Sequence, residues 1–530
     1  MTNIVKCDSI ISDELEKQIL EWSKESFCIE NLAYFLENTF NINITSDKDI
    51  VSSYERDYSN MPGKAHLLCR PKTDLECAII LRCCRLSKIN ITISAGRTNL
   101  NGSATPNGGL ILSMEKMISP KVKVDNIKKV VDSPVGIYLE RMREEVLLQS
   151  QNKLFYPVDP TSRNDAMVGG TLSCNASGFV PGEQGATRYW VQEIKFILPN
   201  GYILDCKRGQ YTSDDRCFIF LCGKNKIKMR VPDYERPKIK NASGPYSDEL
   251  GKMDLVDLII GSEGIFGLIV AVKFKLKDRP DDFLDLFFTL PKESDAIKFQ
   301  NYLSKYLLGD LSKISALEYF GYNCQNYMDN KSALFDCDLD VGIYLQVPLY
   351  NVTIEGVVDE WYEILSKSKC NINLDKIILL NNPKAWKKFF KARHSIPENA
   401  LKKSHIYDTL SILTDTIVPL KNFKIFLDYS HKILKKSKIE YLLFGHLGDC
   451  HLHFHLIPKK TQQSKAIDVY KKIVTKTVSL DGIYSAEHGT GKRKTNDFYE
   501  CFGENGIRKV KLAKRALDPD FLLNTGNIFN

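Results

Sequence analysis

Apolar side chains in the first forty residues recur at helical intervals: Leu15, Ile19, Trp22, Phe27, Leu32, Phe35 and Leu36 predict a helix over 14–40. From residue 66 the period changes. HLLCRP reads as a strand, Thr73 as the N-cap of the helix DLECAIILRCCRLS, and INITIS as a second strand. Two stretches of small residues follow, one from Ala95 to Gly109 and one, VGGTLSCNASG, within 166–180. The run YWVQEIKFILPNGYILD predicts a hairpin with Pro199-Asn200-Gly201 as its turn. A lysine-rich, proline-bearing stretch at 223–253 breaks the pattern and predicts a solvated loop. It precedes DLVDLIIGSEGIFGLIVAVKFKL, an apolar run interrupted at Gly261, Gly264 and Gly267. The composition shifts at Lys277–Asp282, which marks a domain boundary, and strand and helix patterns then alternate to residue 480. There is no internal repeat and no low-complexity segment.

The chemistry-bearing residues lie late in the chain. The runs IEYLLFG and HLHFHLI flank Leu447-Gly448-Asp449 and predict a short-loop hairpin. In its second strand His451, His453 and His455 alternate with Leu452, Phe454 and Leu456, so the histidines share one face. Alternation alone is equally met by an exposed polar face over an apolar core. A second segment, Ser485-Ala486-Glu487-His488-Gly489-Thr490-Gly491-Lys492, changes the balance. Of nine histidines in the chain, five (446, 451, 453, 455 and 488) fall in these two segments. Imidazoles with a carboxylate suit zinc, manganese or iron, and the histidine next to Glu487 is free to move protons.

Composition narrows the function classes. Hydrophobic residues at 43% and charged residues at 26% are globular values. The net charge of +8 is spread mainly through lysines with no basic-aromatic module, which argues against a nucleic acid partner. Fifteen cysteines are scattered without a CxxC pair, and Cys83-Cys84 sits in an apolar helical pattern, so buried, reduced thiols are expected. The start MTNIVKCDSIISDELEKQ has no signal-peptide core, and no apolar run reaches the roughly 18–20 residues of a membrane span. A cytoplasmic protein with at most peripheral membrane contact is expected.

The stretch ISAGRTNLNGSATPNGGLILSM follows a predicted strand, and its small residues let backbone N–H groups approach a phosphate, with Thr98 and Ser103 adding hydroxyls. It is neither a Walker loop nor a GxGxxG fingerprint, and alone it reads more readily as an ordinary turn. Taken with IVSSYERDYS, VDPTSRNDAMVGGTLSCNASG, GATRYWVQEIKFILPNG, DLIIGSEGIFGLI, FGHLGDCHLHFH, YSAEHGTGK and DPDFLLNTGNIF, in that order along the chain, it resembles the flavin oxidoreductases of the vanillyl-alcohol oxidase type. The nearest group is the D-lactate, glycolate and D-2-hydroxyglutarate dehydrogenases.

The resemblance implies an α+β fold: an N-terminal helical segment 1–50, a two-subdomain PCMH-type FAD-binding domain 51–279, a mixed cap or substrate domain 280–480, and a segment 481–530 that returns to the FAD domain. It places the FAD pyrophosphate on Gly96, Arg97, Thr98, Asn99, Leu100, Gly102 and Ser103. Further FAD contacts are implied for Pro160, Ser162, Gly169, Gly170, Asn175, Gly178, Glu263, Gly264, Ile269 and Asn524. The loop departs from the commoner triple glycine, since Ala95 and Arg97 flank Gly96, and it lacks the histidine that tethers flavin in some relatives, so dissociable FAD is expected.

By the same resemblance His446, His453 and Glu487 hold a divalent metal (zinc, manganese or iron), and His488 is the catalytic base. Arg393, in WKKFFKAR, is the clamp for a substrate carboxylate. His455 is a further catalytic candidate; it and His451 stand where relatives usually carry asparagine. His394 replaces the family's usual glutamate, Pro397 stands where 2-hydroxyglutarate relatives carry a threonine, and Leu413 replaces a lysine, so a relative's second carboxylate clamp is incomplete, which argues against a dicarboxylate. The implied reaction is oxidation of a D-lactate-like D-2-hydroxy acid, with electrons passing to a quinone, an electron-transfer flavoprotein, a cytochrome or oxygen. Two alternatives retain the fold: a non-redox transferase of the alkylglycerone-phosphate synthase type, and a catalytically altered flavoprotein subunit.

Overall fold

The computed structural model describes residues 2–24 and 28–529. The expected helix over 14–40 is two helices, Asp13–Trp22 and Ile29–Phe40, capped by Ser12 and Cys28; Phe27 lies outside the described residues. Apolar spacing misses the break because the helices turn their apolar faces toward each other, with the Trp22 and Phe35 rings stacked 4.7 Å apart.

Thr73 accepts the Glu76 N–H at 3.2 Å and starts the helix Asp74–Ser87, which buries Cys77, Ile80, Leu81, Cys83 and Cys84. This helix joins Leu67–Cys69 to Ile91–Ser94. The two strands flank Leu110–Ser113, parallel to it, in a four-stranded sheet completed by Ile44–Thr45. The hairpin read from PNG forms: Val191–Ile197 pairs antiparallel with Ile203–Lys207, and Gly201 takes φ +87° in the turn. These strands edge a five-stranded antiparallel sheet with Leu268–Lys275, Val130–Pro134 and Lys123–Asp125. One apolar core runs through both sheets.

The stretch read as a solvated loop is a strand, Asn225–Arg230, followed by an irregular segment that is largely buried. Tyr234 packs on Phe498 and Phe502, Gly244 N–H donates to Thr490 Oγ1, and Lys240 makes an ion pair with Asp449 at 2.7 Å. The lysines gave the stretch its polar signature; its Pro, Gly, Tyr and small residues do the packing.

From Asp282 the chain builds a seven-stranded antiparallel sheet in the order Ile378–Leu379, Asp282–Leu290, Val341–Leu349, Ala316–Phe320, Glu440–His446, His451–Ile457, Ile412–Leu413. One face is covered by the helices Glu293–Tyr306, Ile354–Lys367, Leu420–Ser437 and Gln463–Val478, through residues such as Phe299, Trp361, Phe426 and Ile473. The other face carries an aromatic cluster in which Phe287, Phe320 and Tyr344 meet Phe389 of the helix Pro383–Ile406. After Ile483 the chain packs again on the first lobe: Ile91 N–H donates to Leu522 O at 2.9 Å, and Asn524 N–H donates to Ile91 O at 2.8 Å. The architecture is α+β, and no helix among the described residues is long and apolar enough to cross a membrane.

Candidate active site

The histidine hairpin forms as Glu440–His446 and His451–Ile457, joined by a single turn of 3-10 helix at Leu447–Asp449. Leu452, Phe454 and Leu456 enter the sheet's apolar core. The opposite, histidine-bearing face is not the exposed polar surface that alternation also allows. His451 is 0% exposed and His453 and His455 are each 5% exposed. Thr414 lies against His453, Asp415 against His451, and Glu487 against His453.

Glu487 is the centre of this face. One carboxylate oxygen lies 3.4 Å from His446 Nε2; the other lies 3.3 Å from His453 Nε2 and 3.4 Å from His488 Nε2. Burial alone would lift the Glu487 carboxyl, but the His446 charge and the three imidazole contacts outweigh it and hold the carboxyl well below its usual range. His446 and His453 share an orientation. The Nδ1 of His446 meets Glu318 at 2.7 Å and the Nδ1 of His453 meets the Thr414 carbonyl at 2.9 Å, so both present Nε2 to Glu487. Metal-bound histidines are typically fixed in this way, the second nitrogen donating to a carboxylate or carbonyl. Among the described residues, donor atoms of His446, His451, His453 and Glu487 lie within 4.8 Å of one another. The cluster therefore suits a divalent ion.

Two carboxylates that the sequence did not single out organise these residues. Glu318, buried in the strand Ala316–Phe320, holds His446 Nδ1 with one oxygen and Arg393 with the other at 3.2 Å. Burial opposes its ionisation, but His446 and Arg393 prevail and bring it down to about 2; for His446, burial is outweighed by Glu318 and Glu487, which raise it to about 10. Arg393 thus stands beside the cluster, stacked 4.6 Å over Phe179, with one nitrogen committed to Glu318. The second carboxylate, Asp415, is 0% exposed and accepts the N–H groups of Glu487 and His488, the Ser485 hydroxyl and the Lys494 ammonium. Its Oδ1 lies 3.6 Å from His488 Nδ1. Both had a local signal: a lone acid in the apolar strand ALEYF, and the polar trio Thr414-Asp415-Thr416 between apolar runs. His455 lies one pleat repeat beyond His453 and outside the donor cluster, with burial pushing its imidazole down to about 4.

A cleft opens beside this site in the first lobe. Gly96, Arg97, Thr98, Asn99 and Ser103 line one wall, Gly169 and Gly170 another, and Glu263, Gly264, Ile269 and Asn524 the third. A Cβ on Gly96 would stand 2.2 Å from the Asp165 carbonyl, so the loop passes too close to its neighbour for any side chain there. Arg97 holds a left-handed backbone, φ +57°, where the commoner pattern has glycine, and its guanidinium stacks 4.2 Å over Tyr54.

Six candidates do not line the cleft. Leu100 is one of them. Gly102 turns toward Met61, and Pro160 and Ser162 form the turn that places Asp165 against Gly96. Asn175 ends the helix Val168–Cys174 and accepts the Arg188 N–H, while Gly178 packs on Asp159. Within the lining, Glu263 uses its carboxylate to accept the Thr490 and Gly491 N–H groups, each at 2.7 Å. Burial, only partly offset by these donors, lifts it to about 7. Asn524 Oδ1 accepts the Ile93 N–H and its amide donates to Glu263 O. Asn101, outside the candidate set, donates to the carbonyls of His488 and Gly489 at 2.6 and 2.7 Å. The glycine loop and the Glu487 segment are therefore tied directly together.

Residues 65–207 match the FAD binding domain family, and residues 352–528 match the FAD linked oxidases, C-terminal domain. The first match contains the glycine loop and the second both histidine segments. A D-lactate dehydrogenase of Anaerostipes hadrus is 24% identical over 497 residues, covering 91% of this chain and 93% of that protein. A D-2-hydroxyglutarate dehydrogenase of Xanthomonas citri pv. viticola is 24% identical over 469 residues, covering 86% and 87%. In fold, the solved p-cresol methylhydroxylase with substrate bound superposes with a TM-score of 0.67 at 14% identity, covering 98% of each chain.

Proposed function

This chain belongs to the FAD-linked oxidoreductases that join a PCMH-type FAD-binding domain to an FAD-linked oxidase C-terminal domain, and from that premise we propose that it oxidises a D-lactate-like D-2-hydroxy acid to the 2-oxo acid. The observation that carries the reading is the convergence of three Nε2 atoms on Glu487, two of them with Nδ1 already held by an oxygen, in a segment hydrogen-bonded to the glycine loop. FAD bound along the cleft supplies the two-electron acceptor, and a divalent ion on His446, His453 and Glu487 supplies Lewis acidity toward the substrate hydroxyl.

The chain's own groups do the rest. Asp415 faces His488 from the Nδ1 side, which leaves Nε2, beside Glu487, to take the hydroxyl proton. Arg393, steadied by Glu318 and Phe179, grips the carboxylate. Leu413 and Pro397 bring neither charge nor hydroxyl for a second carboxylate, so a monocarboxylate is preferred over 2-hydroxyglutarate. Dissociable FAD accords with a glycine loop that offers no histidine.

Mixing the FAD- and metal-loaded protein anaerobically with a panel of 2-hydroxy acids tests this. D-Lactate is expected to bleach the flavin band, L-lactate to leave it unchanged, and D-2-hydroxyglutarate to act more weakly than D-lactate. Failure of every hydroxy acid to bleach it would sink the reading. In the same assay His488→Asn is expected to keep both FAD and metal while reduction slows by about 10²–10⁴-fold, the usual contribution of a positioned base. A wild-type rate in that variant removes His488 from the role. Gly96→Ala, whose methyl meets a backbone carbonyl, is expected to cost about 1–3 kcal/mol of stability and to lower flavin occupancy, read from thermal unfolding and the flavin-to-protein absorbance ratio.

A further inference from the structure

We propose that His451 is a fourth donor to the metal centre, making a set of three imidazoles and one carboxylate. This rests on the metal site proposed above and extends it. His451 faces His446 across the hairpin ladder and shares its strand face with His453; its ring centroid is 5.4 Å from the first and 4.5 Å from the second. Its side chain is fully enclosed, yet neither ring nitrogen has a hydrogen-bond partner. Leaving a buried polar group unpaired costs about 1–3 kcal/mol, so such a group in a folded protein calls for a partner. The Nε2 does come within 3.2 Å of Asp415 Oδ1, but out of hydrogen-bond alignment.

Asp415 itself is not available as a ligand. Its oxygens already serve two backbone N–H groups, a hydroxyl and an ammonium. One His451 nitrogen, by contrast, falls in the same donor group as His446, His453 and Glu487, all within 4.8 Å. At tetrahedral angles four donors bound to one ion at about 2.1 Å lie about 3.4 Å apart, so a closure of up to about 0.7 Å per donor brings all four onto one ion.

Two consequences follow. Three nitrogen donors favour zinc and the late transition ions over manganese or magnesium. A fourth protein ligand also takes a position that three ligands would leave open, so the substrate reaches the ion through fewer of its oxygens.

The test uses full-length protein with FAD in place, stripped of metal and reloaded with zinc. X-ray absorption is expected to count three imidazoles in the wild type and two in His451→Asn. Chelator competition is expected to show zinc held about 100-fold more weakly in that variant, at unchanged flavin content. Two imidazoles in the wild type overturn the proposal even if the variant misfolds, as does unchanged zinc affinity in a folded His451→Asn. His453→Asn separates the two readings: if it loses zinc while His451→Asn does not, the metal site stands and only the fourth ligand falls. A wild type that binds no zinc removes both.

Discussion

Replacing Glu487 by glutamine is expected to abolish metal binding and to lower turnover by about 10³-fold, the rate equivalent of the several kcal/mol a Lewis acid contributes. The carboxylate is the one anion shared by His446, His453 and His488. Glutamine keeps its volume but removes the charge and turns an amide N–H2 toward imidazole nitrogens that must act as ligands. Flavin content is expected to stay at the wild-type level, because the cleft wall is built from the glycine loop, the 169–170 helix start and the 263–269 segment, and Glu487 is not part of it. Elemental analysis beside steady-state rates checks this. Wild-type metal content in Glu487→Gln would show that the ion is held elsewhere.

Local pattern carried the parts of this molecule whose cause is local. Alternation about Leu447–Asp449 and about Pro199–Gly201 gave two hairpins, and Thr73 with its apolar helix gave the strand-helix-strand unit. The groups that aim the site were not legible in this way, because their partners are far off in sequence. Glu318 meets His446 across 128 positions, Asp415 meets His488 across 73, and Asn101 meets His488 across 387. Alternation also left the histidine face undecided between solvent and interior. What buries it is a tertiary event, the arrival of Thr414, Asp415 and the Glu487 segment over the strand. The 231–253 stretch shows the same limit in reverse, since lysine content suggests solvent while Tyr234, Lys240 and Gly244 are buried against the C-terminal segment and the hairpin turn.

Asp415→Asn is expected to lower stability by about 3–5 kcal/mol at neutral pH, the cost of leaving one member of a buried ion pair uncompensated, and to suppress turnover beyond what the stability loss explains. Lys494, 5% exposed at its side chain, would lose its 2.8 Å contact, and the N–H groups of Glu487 and His488 would lose the charge that fixes them. The pH dependence has a definite sign. Burial opposes ionisation of Asp415, but His488 and Lys494 hold its carboxyl well below the ordinary 3.8. An acid whose folded value is depressed adds stability that is fully present above its unfolded value and is lost as pH falls toward the folded one. The gap between wild type and Asp415→Asn, measured by denaturant unfolding, is therefore expected to be constant above pH about 5 and to shrink below about 4. Pairing the change with Lys494→Met removes both charges at once. That double variant is expected to regain most of the stability and none of the turnover, because a neutral pair leaves no uncompensated buried charge but does not place His488. If the double variant is as unstable as Asp415→Asn alone, the buried pair is not what stabilises this loop, and its hydrogen bonds to Ser485, Glu487 and His488 are.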